Sequence, residues 1–379
     1  MYLQSNPKSD GALSLGTFTY SEIFQQPELW PTTLEIARIS GWKRERPLGR
    51  PALITGAGSS AYAAAAIAAS WPNAKAVPTT DLLIESKDEI ASGASDFPTS
   101  GLLVSVARSG DSPESVAVVN RIRSLNPRIE NLVITCNSDG QLAKMPGVDA
   151  IILDPRTNDR GLAMTSSFSN LALAGLSLQS HDELAELMPS LCRSVQLCLP
   201  ELNERAKRLA SEPIQRVVVL GSGPLRALAA EASLKILEMT AGRTITLAET
   251  FLGLRHGPMS FVTPDTLVLC FLSSSRYRRR YEEDLVGQLK QKGLGRIVGI
   301  VPDGAKGSLL ADGLYDECVP ASAGHIRDEL RVPFEIPFAQ LLAYHLSLTE
   351  GLDPDNPSPT GAITRVVEQF AIYDEASDV

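Results

Sequence analysis

What this chain is short of narrows it first. It has five cysteines in 379 residues, an odd number (Cys136, Cys192, Cys198, Cys270, Cys318), scattered through apolar runs. None falls into metal-ligand spacing with histidine or aspartate. This argues against a disulfide framework and predicts buried, reduced thiols in a reducing, cytoplasmic compartment. No metal and no cofactor are expected. Long apolar stretches are missing too. The longest, Ala61–Ala69, is far too short to span a bilayer, so no membrane partner is expected. The start, Met1–Ser5, lacks a basic-then-apolar leader pattern. Positive charge is scarce: the net charge is −9, and the one basic cluster, Arg276–Arg280, runs straight into Glu282, Glu283 and Asp284. That cluster reads as a solvated helix start and argues against a nucleic-acid partner. With 44% hydrophobic and 21% charged residues, the chain is a globular protein long enough for two domains.

What is there is an alternation of short apolar runs and helical stretches. Ser21–Phe24 and Pro31–Ile39 carry apolar residues at helical spacing. Pro51–Thr55 reads as a strand closing in Gly56-Ala57-Gly58-Ser59-Ser60, with an alanine-rich helix over Ala61–Ser70. The unit recurs as a strand over Gly101–Ala107, a turn Arg108-Ser109-Gly110-Asp111-Ser112, and a helix over Glu114–Arg123. Further strands are expected at Asn131–Cys136 and Ala150–Leu153. Such alternation gives a parallel sheet covered on both faces. The pattern then returns at one offset: Gly221 lies 165 positions after Gly56, Leu267–Phe271 after Leu102–Val106, and Ile297–Val301 after Leu132–Cys136. Three matches at one offset predict an α/β protein of two tandem domains, each a doubly wound, flavodoxin-like parallel sheet. The expected divisions are a helical arm (1–48), a first domain (49–180), a leucine-spaced helical linker (181–214), a second domain (215–350) and a proline-rich tail (351–379).

Ligands of open parallel sheets bind beyond the carboxyl ends of the strands, so the candidate residues lie in the turns. The turn Arg108–Ser112 offers backbone N–H groups at a helix start, the hydroxyls of Ser109 and Ser112, and the guanidinium of Arg108. That chemistry suits a phosphate. Ordinary capping by Ser109 or Asp111, with Pro113 in the first turn, accounts for the same residues. Gly56-x-Gly58 followed by Asp81 also matches a relaxed dinucleotide fingerprint. Its mirror, Gly221-Ser222-Gly223-Pro224, lacks the third small residue, and a dinucleotide has no need of a second hydroxyl-rich turn. A sugar phosphate accounts for both turns at once, with its phosphate at Arg108, Ser109 and Ser112 and its hydroxyls at Ser59 and Ser60.

Three further groups stand out. Thr165-Ser166-Ser167 open a helix, as caps or as ligand contacts. Glu231, Lys235 and Glu238 share one helical face. They form either a solvated salt-bridged stripe or a carboxylate held beside a lysine, which suits proton transfer between adjacent sugar carbons. His256 sits in the loop Arg255–Pro258, where it can be presented to a pocket. His181, His325 and His345 read as structural.

Together, Thr55–Ser60, Arg108–Ser115, Glu231–Glu238 and Arg255–Pro258 resemble the sugar isomerase (SIS) family, as a tandem pair of its domains. The arrangement is similar to the isomerase half of glutamine–fructose-6-phosphate amidotransferase without its glutaminase. Ala76–Leu82, Ile134–Asn137, Asp159–Ser167 and Thr364–Val367 point within the family to the tagatose-6-phosphate isomerase and amino-sugar-phosphate deaminase branch. The resemblance implies that Arg108, Ser109 and Ser112 hold the phosphate, with Arg108 where the amidotransferase has glutamine. Ser60 is implied in a sugar-hydroxyl contact, and Thr165 with Ser166 match the family's third serine/threonine turn, a substrate-binding element. Glu238 is implied in moving the proton between C1 and C2, with Lys235 one turn earlier. His256 is implied in ring opening from a neighbouring subunit, which makes the protein a homodimer or higher homo-oligomer. The amidotransferase has a tail lysine that contacts the open-chain sugar; here the stretch Thr360–Glu368 has only Arg365. The implied reaction is deamination of galactosamine 6-phosphate or glucosamine 6-phosphate to a ketose 6-phosphate. Plain aldose–ketose isomerisation and a non-catalytic sugar-phosphate sensor are the alternatives.

Overall fold

The computed structural model describes residues 15–42, 51–86, 101–302 and 313–373. The start Met1–Ser5 and the last stretch of the tail lie outside them. Two helices open the described chain, α1 (Thr17–Phe24) and α2 (Gln26–Ile39), and they bury Ile23, Leu29, Trp30 and Leu34. The first sheet follows, with β1 (Ala52–Thr55), α3 (Ser59–Ser70), β2 (Ala74–Ala76), α4 (Thr79–Ile84), β3 (Leu102–Ala107), α5 (Pro113–Leu125), β4 (Glu130–Thr135) and β5 (Asp149–Ile152). All pairings are parallel and the strand order is β2-β1-β3-β4-β5. β3, apolar but for Ser105, is buried at every position, as the centre of a sheet covered on both faces should be.

Next comes α6 (Ser166–Ala210), whose 45 residues are two helices joined at Ser180, where φ is −124° and ψ is 33°. The break falls just before the expected linker run from His181. The second sheet has β6 (Arg216–Gly221), α7 (Arg226–Met239), β7 (Ile245–Glu249), α8 (Phe251–Leu254), β8 (Leu267–Phe271), α9 (Arg276–Gln291), β9 (Arg296–Val301), β10 (Glu317–Pro320) and α10 (Asp328–Thr349). Its order, β7-β6-β8-β9-β10, repeats the first sheet strand for strand. The repeat read from spacing is therefore a repeat of topology.

One apolar core runs through both halves. Ile54 and Val104 of the first sheet, Val217 and Leu269 of the second, and Leu184, Leu191, Val195 and Leu199 of α6 belong to a single buried cluster. The leucine-spaced face of α6 thus lies in a core shared by both sheets. None of the five cysteines is in a disulfide; Cys136, Cys270 and Cys318 are buried, whereas Cys192 and Cys198, on α6, are only half-buried. Among the described residues no helix is long and apolar enough to cross a membrane.

In both sheets the chain leaves the first strand for one neighbour and returns to the other, which opens a crevice at the carboxyl ends of β1 and β3, and of β6 and β8. The glycine turns fit this geometry twice. A Cβ on Gly56 would meet the Ser60 backbone at 2.5 Å, and one on Gly221 the Leu225 carbonyl at 2.3 Å. Gly58 and Gly223 both have positive φ, 57° and 58°, a region that β-carbons disfavour.

Candidate active site

At the first of these crevices lies a cleft of about 250 Å³. Its lining brings together Ser59 and Ser60 from the start of α3, Arg108, Ser109 and Ser112 from the turn after β3, and Glu238 from α7. Glu238 belongs to the second domain, and it reaches a first-domain cleft because α7 packs against α3. Six residues singled out from separate stretches of sequence therefore meet in one place.

The turn after β3 is held from outside the cleft. Gly110 has φ of 71°. Asn137 donates through Nδ2 to the Ser109 carbonyl at 2.9 Å, and Thr135 Oγ1 donates to the Arg108 carbonyl at 3.3 Å. The Asp111 carboxylate accepts from the Gln141 N–H at 2.9 Å and does not line the cleft. Neither Ser109 nor Asp111 caps α5. Ser112 stands at the cap position without accepting a helix N–H on its side chain, and its hydroxyl donates instead to Ser115 Oγ at 2.8 Å. Capping thus leaves the Ser109 and Ser112 hydroxyls on the cleft wall.

Arg108 lines the cleft and also fastens its wall. Its guanidinium donates to the carbonyls of Leu162 (3.0 Å), Gly161 (3.4 Å) and Arg365. The side chain is 8% exposed. Burial pulls the guanidinium below its ordinary pKa, against the pull of the Asp159 charge. Arg108 lends the cleft positive charge, but these donors are taken up in fastening the wall and the tail.

That wall is Leu162, Met164 and tail residues 363–367. Its organiser is Asp159, fully buried, whose carboxylate accepts from the N–H groups of Thr165 (2.8 Å), Ser166 (3.1 Å) and Ser167 (2.9 Å). The expected contacts at Thr165 and Ser166 are consequently not brought to the cleft. Asp159 draws the start of α6 inward, and both residues are buried away from the lining. Glu22 of α1 accepts from the N–H of Arg160 at 2.6 Å and of Gly161 at 3.3 Å. Burial and the nearby Asp159 push its carboxyl up to about 7. Arg365 donates from Nε to the Asp159 carbonyl at 2.8 Å and from Nη2 to Asn158 Oδ1 at 2.6 Å. The only tail cation is therefore bonded to the wall.

The helical face Glu231–Lys235–Glu238 is not a solvated stripe. Lys235 and Glu231 are fully buried, with Lys235 Nζ 3.6 Å from Glu231 Oε1 and bonded to Glu238 Oε2. Burial lowers the pKa of Lys235, but the two carboxylates outweigh it and keep the ammonium charged. Burial pushes Glu231 up to about 8, against the pull of Lys235. Lys235 itself does not line the cleft; it stands behind Glu238, which does. His256 is exposed, follows the short α8, and does not line the cleft of its own chain.

A D-galactosamine-6-phosphate deaminase AgaS from Shewanella sp. (strain ANA-3) is 36% identical over 378 residues, covering 94% of this chain and 92% of that protein. The chain belongs to the AgaS family. Among solved structures, a tagatose-6-phosphate ketose/aldose isomerase from Escherichia coli superposes with a TM-score of 0.81 at 31% identity, covering 92% of this chain and 96% of that one. A glutamine–fructose-6-phosphate aminotransferase of Legionella pneumophila (strain Paris) is 26% identical over 90% of this chain but only 57% of its own length. No protein-family model matches. In this AgaS-family chain, sequence reasoning missed Asp159 and Glu22 as the fasteners of the cleft wall. The one signal available was Asp159 standing six residues before a hydroxyl-rich helix start.

Proposed function

We propose that this AgaS-family chain releases ammonia from an amino-sugar 6-phosphate, with galactosamine 6-phosphate the first candidate and glucosamine 6-phosphate the second. One observation carries the reading: a hydroxyl-lined turn at a helix start shares a cleft with a carboxylate, Glu238, that a buried lysine holds in place. Ser109, Ser112 and the α5 start take the phosphate, and Ser59 and Ser60 take sugar hydroxyls. Glu238 removes the C2 proton of the open-chain sugar and returns it at C1. C1 is thereby reduced from aldehyde to alcohol and C2 is oxidised from amine to imine, the proton lost by the amine nitrogen balancing the one gained by O1. Water adds to the C2 imine, the C–N bond breaks, and ketose phosphate and ammonia leave. Lys235 keeps Glu238 oriented from behind.

Ring opening in this scheme falls to His256 of a second copy. Its exposure supports that assignment, as does the exposure of Leu237, Ile245 and Leu252 on elements around the edge strand β7. The protein therefore works as a homodimer or larger assembly. Five cysteines outside any disulfide support a cytoplasmic location. The same proton transfer without imine hydrolysis is aldose–ketose isomerisation, a second reading supported by the name of the Escherichia coli structure.

The deciding assay follows ammonia and ketose phosphate together, from galactosamine 6-phosphate and from glucosamine 6-phosphate. Deamination gives the two products in equal amounts. Interconversion of an aldose phosphate and a ketose phosphate with no ammonia from either amino sugar replaces it with the isomerase reading. Tight binding with no turnover of any phosphosugar leaves only a sensor.

A further inference from the structure

The second domain carries its own copy of the phosphate turn, and that copy is already full. At the offset of 165, Ser109 corresponds to Ser274 and Arg108 to Ser273. The turn follows β8 as its partner follows β3, and α9 begins at Arg276. Into it projects Asp328, the first residue of α10, almost wholly buried. Its Oδ1 accepts from the Ser274 N–H at 2.8 Å, from Ser274 Oγ at 2.7 Å and from Arg331 Nη1 at 2.9 Å. Its Oδ2 accepts from Ser273 Oγ and from Arg278 Nη1 at 3.2 Å. Backbone N–H, two serine hydroxyls and two guanidinium groups at a helix start are the donor set of an oxyanion cradle.

We propose that Asp328 is a built-in occupant of a second oxyanion site, standing where a phosphate sits in the first domain and closing the second domain to phosphosugars. The inference rests on the reading that the substrate phosphate is held at Ser109 and Ser112. The carboxylate is anchored from behind: Arg331 is fully buried and holds Glu335 through Nε at 2.7 Å and Nη2 at 2.9 Å, and it also donates to the Leu272 carbonyl at 2.8 Å. An incoming phosphate would bring its charge against a buried carboxylate that already uses the donors it needs. The mouth is nonetheless open. A hollow of about 510 Å³ lined by Ser274, Ser275, Arg278, Arg327 and Asp328 leads to it. Glu282 accepts from the Ser273 N–H at 2.9 Å and Glu329 also lines the hollow, but it is Asp328 that takes both serine hydroxyls and the two guanidinium groups, so the turn is filled chiefly by this side chain and not closed by lack of access.

Inorganic phosphate is the probe. In a Ser109→Ala/Ser112→Ala background, which silences the first turn, millimolar phosphate leaves the melting temperature unchanged while Asp328 is present. Adding Asp328→Ala lowers the melting temperature in phosphate-free buffer, and phosphate then raises it by roughly 2–4 °C. Glu335 and the Leu272 carbonyl still hold Arg331 in that variant; Asp328→Ser, which also vacates the cradle and suits a helix start, is the second version should the alanine fail to fold. No phosphate-dependent rise in either variant overturns the inference. Calorimetric titration of the unmodified protein needs no such variant. One phosphate per chain, lost in Ser109→Ala/Ser112→Ala, supports it; a phosphate that persists in that double variant overturns it. Unmodified protein that takes up no phosphate, beside an Asp328→Ala form that takes up one, would sink the proposed first-turn site and leave this inference standing.

Discussion

The turns after β3 and after β8 started from one plan and ended as opposites. In the first domain Gly110, at φ of 71°, lets the chain run on to Ser112 before α5 begins at Pro113. In the second, α9 begins at Arg276, two residues earlier in equivalent numbering, and no positive φ interrupts the turn. Each turn has a buried arginine, but from opposite sides. Arg108 rises from the first turn and reaches out to the wall and the tail, while Arg331 reaches back from α10 to the carbonyl before the second turn. The first turn keeps its hydroxyls on a cleft, and the second spends them on Asp328. On the readings proposed above, a duplicated sheet supplies two oxyanion cradles, and which one is available to a ligand depends on whether the helix after the last strand opens with a carboxylate. Where α10 has Asp328, α6 opens with Ser166 and has its anchoring carboxylate, Asp159, outside the helix.

The sharpest way to break this contrast is to remove the chemistry that only the first cleft has. Glu238→Gln keeps the shape and hydrogen-bonding reach of the side chain but cannot accept the C2 proton. Ammonia release should fall by about 10³-fold or more, with phosphate uptake by calorimetry little changed. Activity near that of the unmodified enzyme would remove Glu238 from the mechanism. The next comparison sets the two turns side by side. Losing a hydrogen bond to a charged group costs about 1.5–3 kcal/mol, so Ser109→Ala and Ser112→Ala should each raise KM by roughly tenfold or more. Ser274→Ala, at the equivalent place, should leave KM alone and lower the melting temperature instead. Equal effects on KM at the two turns would mean that the second domain also holds substrate.

These positions were legible in the sequence to different degrees, for physical reasons. Central strands such as Leu102–Ala107 and Leu267–Phe271 declare themselves because both faces are buried, so nearly every residue is apolar, Ser105 being the exception. The edge strands Ala74–Ala76 and Ile245–Glu249 did not. They are half exposed, and the first has three residues with no β-branched side chain. The hydroxyl turn and Glu238 were readable because their residue types sit at fixed spacings from a strand or on one helix face. The fastening role of Arg108 was not legible because its partners are carbonyls of residues 161, 162 and 365, which no local pattern announces. Asp159 and Asp328 were missed for the same reason: a single buried carboxylate acquires meaning only from the donors that folding brings to it.

The fastening of the first cleft offers a smaller test. Arg365→Ala removes the bonds to the Asp159 carbonyl and to Asn158 that hold the tail against the wall. KM should rise by a few-fold with kcat nearly kept, since none of the reacting groups is touched. A fall in kcat with KM unchanged would instead make the tail part of the chemistry.

The smallest expected effect separates the two regions by pH. Burial, with the nearby Asp159, raises Glu22 to about 7 in the folded chain, above its ordinary value of 4.5. Between those values the folded protein holds a proton that the unfolded chain has released. This contribution is complete below pH 4.5 and is lost as pH rises through 7. Asp328 behaves in the opposite sense. Burial alone would raise it, but the donors from Ser273 and Ser274 and the charge of Arg331 outweigh burial and hold it below its ordinary 3.8. Its contribution is present above that value and disappears as acid titrates the folded carboxylate. Glu22→Gln should therefore flatten the decline in melting temperature between pH 5 and pH 8, by about a few degrees. Asp328→Asn should flatten only the acid limb below pH 4. If Glu22→Gln leaves the neutral limb unchanged, the decline belongs to other raised carboxyls, of which Glu231 (about 8) and Glu282 (about 7) both lie in the second domain. The pH asymmetry between the two regions would then have to be redrawn around α7 and α9.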